Sequence, residues 1–136
     1  MNEAATLVRL DDTDLALADS GDDVRGRTVV DANGDEVGEV DGLIVDLDER
    51  RVRLLQVASG GFLGIGKQMV LVPVDAVTAV DDTVHIGAER EHVARGPAYD
   101  PELVLDPTTT TGFYDYYGFA PYWSAGYMNP GFPYRT

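Results

Sequence analysis

Two histidines, His85 and His92, three serines and a set of carboxylates are the stock from which this 136-residue chain would have to assemble an active site. Cysteine is absent, which removes thiolate nucleophiles, disulfides and Cys-based zinc sites by counting. None of the serines stands in a nucleophile motif. Asp81 and Asp82 lie close enough in sequence to pair with His85, but adjacent acids between two short strands are the usual composition of a solvated turn. Asp41, Asp46 and Asp48 cluster along one strand and its turn, and alternation puts Asp46 and Asp48 on one face. A carboxylate-based hydrolase needs such a cluster, yet an ordinary solvated strand edge has the same pattern.

Two loops imitate ligand sites. Gly61-Phe62-Leu63-Gly64-Ile65-Gly66-Lys67 satisfies the G-x4-G-K spacing of a phosphate loop, but Gln68 stands where a magnesium-binding hydroxyl is required. The residues from Met69 onward read as a strand, whereas phosphate binding needs a helix whose first amides face the anion. Asp31-Ala32-Asn33-Gly34-Asp35 opens like a calcium loop, with oxygen donors at alternate positions. Its glycine falls at loop position 4 rather than 6, and Gly42 occupies position 12 in place of a bidentate glutamate. A tight hairpin turn through Asn33-Gly34 is the better reading. No catalytic residue, cofactor or metal ligand is therefore assigned, and the chain is not expected to be an enzyme.

These residues must be carried by small β elements. Between Arg25 and Ile86, short β-branched runs alternate with turn residues, as in a small all-β barrel or sandwich. Thr28-Val29-Val30 precedes the Asn33-Gly34 turn. The next strand runs from about Glu36 to Asp46, with Gly38 and Gly42 as structural turn or bend points where it can curl or bulge. A polar turn at Asp48-Glu49-Arg50 leads to Arg51 through Ala58. The apolar run Met69 to Val74 implies a strand covered on both faces, or a short one, with Pro73 marking an edge. Strands at Val77 to Val80 and Thr83 to Ile86 follow, then a short helix near residues 89–95, stopped by Gly96-Pro97.

Charge limits the partners. There are 24 acidic and 10 basic residues, a formal charge of −14, which opposes close approach to phosphate backbones. Direct nucleic-acid binding is not expected. Residues 1–24 form an acidic arm with seven carboxylates against Arg9, and its apolar groups suit a strand laid on the domain. No leader or membrane-spanning run is legible in the sequence, so a cytoplasmic location is expected.

Residues 106–136 hold ten of the twelve aromatic rings, interleaved with Gly and Pro and almost without charge, and read as an irregular tail. Ring burial alone does not offset the entropy of ordering so long a segment, so the tail needs a surface. That surface is its own barrel, a second subunit, another protein or a membrane interface, where Tyr and Trp also sit well, although the acidic body argues against anionic lipid. Tyr114, Tyr117, Tyr122 and Trp123 are the candidate contact residues, together with Phe62, Leu63 and Ile65 of the 60–66 loop.

Several segments in order carry a family resemblance: Arg25-Gly26-Arg27-Thr28-Val29-Val30, Val37-Gly38-Glu39-Val40-Asp41, Gly60 through Lys67, and Val72-Pro73-Val74-Asp75. Over roughly residues 20 to 90 the chain resembles the PRC-barrel family, free-standing bacterial members included. Relatives in that family are the barrel of the photosynthetic reaction-centre H subunit and that of a ribosome maturation factor. The resemblance implies a compact barrel, here spanning residues 25–105, and a protein-docking role. Taken together, these readings give an all-β protein acting as a non-catalytic interaction or assembly module, as a homo-oligomer with a dimer favoured and a protein partner of unknown identity. The alternatives are an ion- or small-ligand-responsive regulator using the acidic arm, and an accessory factor in RNA processing or ribosome assembly.

Overall fold

A computed structural model of the protein describes residues 7–10, 23–59, 68–100, 105–128 and 132. Seven strands form one sheet: β1 (Leu7–Arg9), β2 (Thr28–Val30), β3 (Glu36–Asp46), β4 (Val52–Ser59), β5 (Gln68–Pro73), β6 (Val77–Val80) and β7 (Thr83–Ile86). Their order is β5-β4-β3-β2-β7-β6, and β1 pairs with the C-terminal end of β3. Among the described residues no hydrogen-bonded pairing joins β5 to β6, so the sheet is a curled half-barrel rather than a closed one. A 3-10 turn at Val74–Ala76 carries the chain from one edge to the other.

The long strand β3 organises the sheet. Its first half pairs with β2 and its last three residues with β1, while β4 runs along its other side. The register skips Asp41 between Val40 and Gly42, and shifts again near Arg53 on β4. Each bulge bends the pair and breaks the in-out alternation. Gly38 and Gly42 therefore lie inside β3, as bend points rather than turns between strands. A side chain at Gly38 would be driven into the backbone carbonyl of Ala58, so this crossing needs glycine.

The β2–β3 turn is the Asn33-Gly34 hairpin, with Gly34 at φ +82°. Asp31 holds it together: its Oδ1 accepts from the backbone N–H of Asn33 and of Asp35, each at 2.9 Å. Its Oδ2 accepts the N–H of Arg90 at 3.0 Å, which fastens the turn to helix α1 (Arg90–Ala94). Burial would raise the Asp31 carboxyl, but these N–H groups outweigh it and hold it below the usual range. The resemblance to a calcium loop thus arises from a carboxylate that serves backbone amides.

The sheet has two cores. Val29, Val40, Leu43, Val57, Val72 and Val84 fill the concave side, joined by Val93 of α1. Ile44, Leu54 and Leu71 belong to a separate cluster with Leu7, Tyr99, Leu105, Phe113 and Tyr114. Both faces of the β3–β4–β5 end are covered, which explains the unbroken burial of residues 42–46 and of most of β4.

The second core corrects the reading of residues 106–136 as irregular. Pro107–Tyr117 is a helix, α2. Asp106 caps it by accepting the Thr109 N–H at 2.7 Å, and Pro107 occupies its first turn. Gly118, at φ +82°, closes it: the Gly118 N–H reaches the Asp115 carbonyl at 3.0 Å, and the Phe119 N–H reaches that of Tyr114 at 3.1 Å. That pair of bonds is a Schellman stop. Thr110, Phe113, Tyr114 and Tyr117 share one face at helical spacing, and the first three are buried. His92 of α1 stacks on Tyr116 with centroids 4.1 Å apart, and the Tyr116 hydroxyl donates to the His92 carbonyl at 2.6 Å.

Gly112 lies inside α2 with open space where a Cβ would stand. Gly112→Ala is expected to raise unfolding stability by about 0.5–1 kcal/mol through helix propensity. Gly38→Ala is expected to lower it by about 1–3 kcal/mol, an overpacking cost. Urea titration of both variants checks the pair.

Candidate functional site

The β3–β4 turn and the segment after α2 meet around a buried guanidinium. Asp46 ends β3, and its Oδ1 accepts the Glu49 N–H at 2.6 Å, which folds residues 47–50 into a tight turn. Its Oδ2 accepts Arg53 Nε at 2.7 Å, and the two side chains are 2% and 5% exposed. A second guanidinium nitrogen donates to Glu49 Oε1 at 3.1 Å. The ring of Tyr122 lies over the guanidinium, 4.3 Å from centroid to carbon, a cation–π contact. Arg53 is thus bound by two carboxylates and one ring, and it ties the sheet to the C-terminal segment.

A second tie lies alongside. The 3-10 turn presents Asp75, whose Oδ2 accepts the Tyr127 hydroxyl at 2.7 Å. Burial holds the Asp75 carboxyl above the usual carboxylate range, and the Tyr127 bond pulls against that without cancelling it. Asp75 Oδ1 and the Tyr114 hydroxyl are buried with no hydrogen-bond partner among the described residues. Burial and the neighbouring Asp75 both push the Tyr114 phenol up. Trp123 stands edge-on to Tyr114 at 6.1 Å and to Tyr122 at 5.3 Å, which fixes its ring.

Above these contacts is an open groove of about 340 Å³. It is lined by Asp48, Glu49 and Arg53 from β4 and the turn before it, and by Tyr122, Trp123 and Tyr127 from the segment after α2. Burial, and next the carboxylate of Asp46, push the Tyr122 phenol up to about 12, against the pull of Arg53. Asp48 and Glu49 act in the same direction as Asp46. Among the described residues no group of three His, Asp or Glu is placed to hold a metal ion.

The anticipated contact residues divide. Phe62, Leu63 and Ile65 lie outside the described residues. Tyr114 is fully buried in the second core, which corrects its reading as a contact residue: the face of α2 that covers the sheet carries it inward. Tyr117 is partly buried against the first core. Tyr122 and Trp123 are half-buried and reach the groove.

The polar residues also divide. Asp46 is taken up by Arg53, Asp48 faces the groove, and Asp41 accepts from Gln56 Nε2 at 3.1 Å. His85 and Asp81 approach to 3.3 Å as an exposed pair at the β6–β7 turn. A strand, β5, follows the glycine-rich loop, as its reading against a phosphate loop requires. Arg53 and Tyr127 were not singled out by the sequence analysis, and Glu49 and Asp75 figure there only as a turn residue and as part of a family-like segment. Arg53 alternates with apolar neighbours like any strand cation, and the bulge that turns it under Tyr122 leaves no local signature.

A family model described as the PRC-barrel domain matches residues 18–93. No curated protein matches the chain.

Removing one member of a buried ion pair strands the other charge. Arg53→Met is expected to destabilise the fold by about 3–5 kcal/mol. Adding Asp46→Asn, which retains an acceptor for the Glu49 N–H, is expected to restore much of the loss. Denaturant unfolding of both single variants and the double variant measures the coupling.

Proposed function

The chain belongs to the PRC-barrel family, and on that premise we propose that it is a non-catalytic protein-interaction module whose contact surface is the groove between the β3–β4 turn and residues 122–127. One observation carries the reading. The groove has a wall of aromatic rings held by the Arg53 and Asp75 contacts, and large apolar side chains stand exposed on either side of it in sequence: Leu47 at 38% and Met128 at 84%. Fixed rings beside exposed apolar groups suit protein contact, because little side-chain entropy is lost on docking. The Gly60 to Gly66 loop, with Phe62, Leu63 and Ile65, belongs to the same proposal as a second contact.

The non-catalytic part of the reading is supported by what the buried carboxylates do. Asp31 serves three backbone amides and Asp46 holds Arg53 and a turn amide, which are structural tasks. The proposal extends to a cytoplasmic homo-oligomer, with a dimer favoured; among the described residues no helix is long and apolar enough to cross a membrane.

The test compares three forms of the protein by affinity capture and light scattering. One is the intact chain, one carries Tyr122→Ala with Trp123→Ala, and one ends at Gly118, which keeps the core residues Phe113 and Tyr114. The double variant is expected to stay folded, and the shortened chain, which gives up the Phe119, Tyr122 and Tyr127 contacts, to be less stable but to keep its sheet by circular dichroism; both are expected to lose captured partners or subunit association. Unchanged partners and unchanged particle mass in both would contradict the proposal.

A further inference from the structure

The groove combines charge and ring chemistry in a way that selects an occupant. Two of its lining side chains are carboxylates: Glu49 is already paired with Arg51 at 3.2 Å and Arg53 at 3.1 Å, whereas Asp48 is exposed and forms no hydrogen bond or ion pair with any described residue. The one lining cation, Arg53, is already neutralised by Asp46 beneath the surface. It is also lined by three aromatic side chains, two of them in edge-on contact with each other and the third bonded through its hydroxyl to Asp75. The whole chain carries a formal charge of −14, which draws cations toward any concave site.

The molecule displays the matching ligand on itself. Arg53 sits with carboxylates of Asp46 and Glu49 at its nitrogens and the Tyr122 ring on its face. A planar guanidinium fits both halves of that arrangement, since it forks onto carboxylates and stacks on rings, whereas an ammonium is a compact point charge. Asp48 and the half-buried Trp123 and Tyr127 line the groove with the same two kinds of group.

We infer that the groove receives an arginine side chain presented by a basic segment of a partner protein, with Asp48 as the carboxylate that accepts from the guanidinium and Trp123 as its stacking surface. This inference rests on the docking reading and names the chemistry of the partner at that surface. An acidic or phosphorylated segment, and equally a nucleic acid, is disfavoured by Asp48 and by the chain's formal charge of −14.

Trp123 is the only tryptophan in the chain, so its emission reports on the site directly. The full chain would be titrated with capped five-residue peptides, glycine on both sides of arginine, lysine or citrulline. Citrulline keeps the shape of arginine and lacks its charge. The arginine peptide is expected to give a saturable change in emission and to bind about 10-fold or more tightly than citrulline, with lysine between them. Asp48→Asn, at an exposed position without structural bonds, is expected to weaken arginine binding roughly 3- to 10-fold, and raised salt to weaken it further. Chemical-shift changes confined to the groove would confirm the location.

Equal response to arginine and citrulline, no saturable response, or binding unaffected by Asp48→Asn would overturn the inference. A failed titration combined with loss of partners from the chain ending at Gly118 overturns the arginine site alone and leaves the docking reading intact. Unchanged capture by that shortened chain counts against the docking reading itself.

Discussion

Ile44, Leu54 and Leu71 lie on the face of the sheet away from the concave core, and much of the structure follows from the need to cover them. A half-barrel with one apolar face can leave the other in water; this one is apolar on both sides at its β3–β4–β5 end. Burying a Leu or Ile side chain contributes about 1.5–3 kcal/mol, so three such residues strongly favour any segment that can lie over them. That segment is α2, through Phe113 and Tyr114, supported by Tyr99 and Leu105. The helix forms despite four consecutive threonines and a glycine, which are poor helix formers, because its packing and both of its caps outweigh propensity.

Docking α2 determines where the chain goes next. The Schellman stop at Gly118 turns residues 119–128 back over the sheet, where Tyr122 meets Arg53 beside the β3–β4 turn and Tyr127 meets Asp75 of the 3-10 turn. Each contact satisfies a group whose burial would otherwise be costly: Asp46 and Arg53 neutralise one another, and Tyr127 bonds one oxygen of a carboxylate that is already partly desolvated. The groove is the surface left by these constraints. Its walls are held by these contacts although it is built partly from a segment without regular structure.

Much of the sheet was legible in the sequence because local signals agreed with the final arrangement. Asn33-Gly34, Asp48-Glu49-Arg50 and Asp81-Asp82 are turns, the strands fall close to their expected limits, and the short helix near residues 89–95 is α1. The resemblance carried by residues 20 to 90 agrees with the matched span 18–93. What escaped has a common physical origin. Bulges at Asp41 and near Arg53 reset the alternation, so simple periodicity does not assign Ile44, Leu54 and Arg53 to the outer face. Helix α2 was hidden by its threonines, although Asp106-Pro107 before a helical stripe of Thr110, Phe113, Tyr114 and Tyr117 is a start signal that composition obscured. Without α2, Tyr114 reads as an exposed ring and the groove has no second wall.

Amide hydrogen exchange of the intact chain tests most directly whether α2 is an integral layer over the sheet. The account predicts that the amides of Thr110 through Phe119 exchange as slowly as those of β3 and β4, and that Leu71→Ala speeds them selectively. Exchange of the α2 amides at the rate of an unfolded peptide, with the sheet still protected, would contradict it, because the aromatic wall of the groove would then have nothing to hold it.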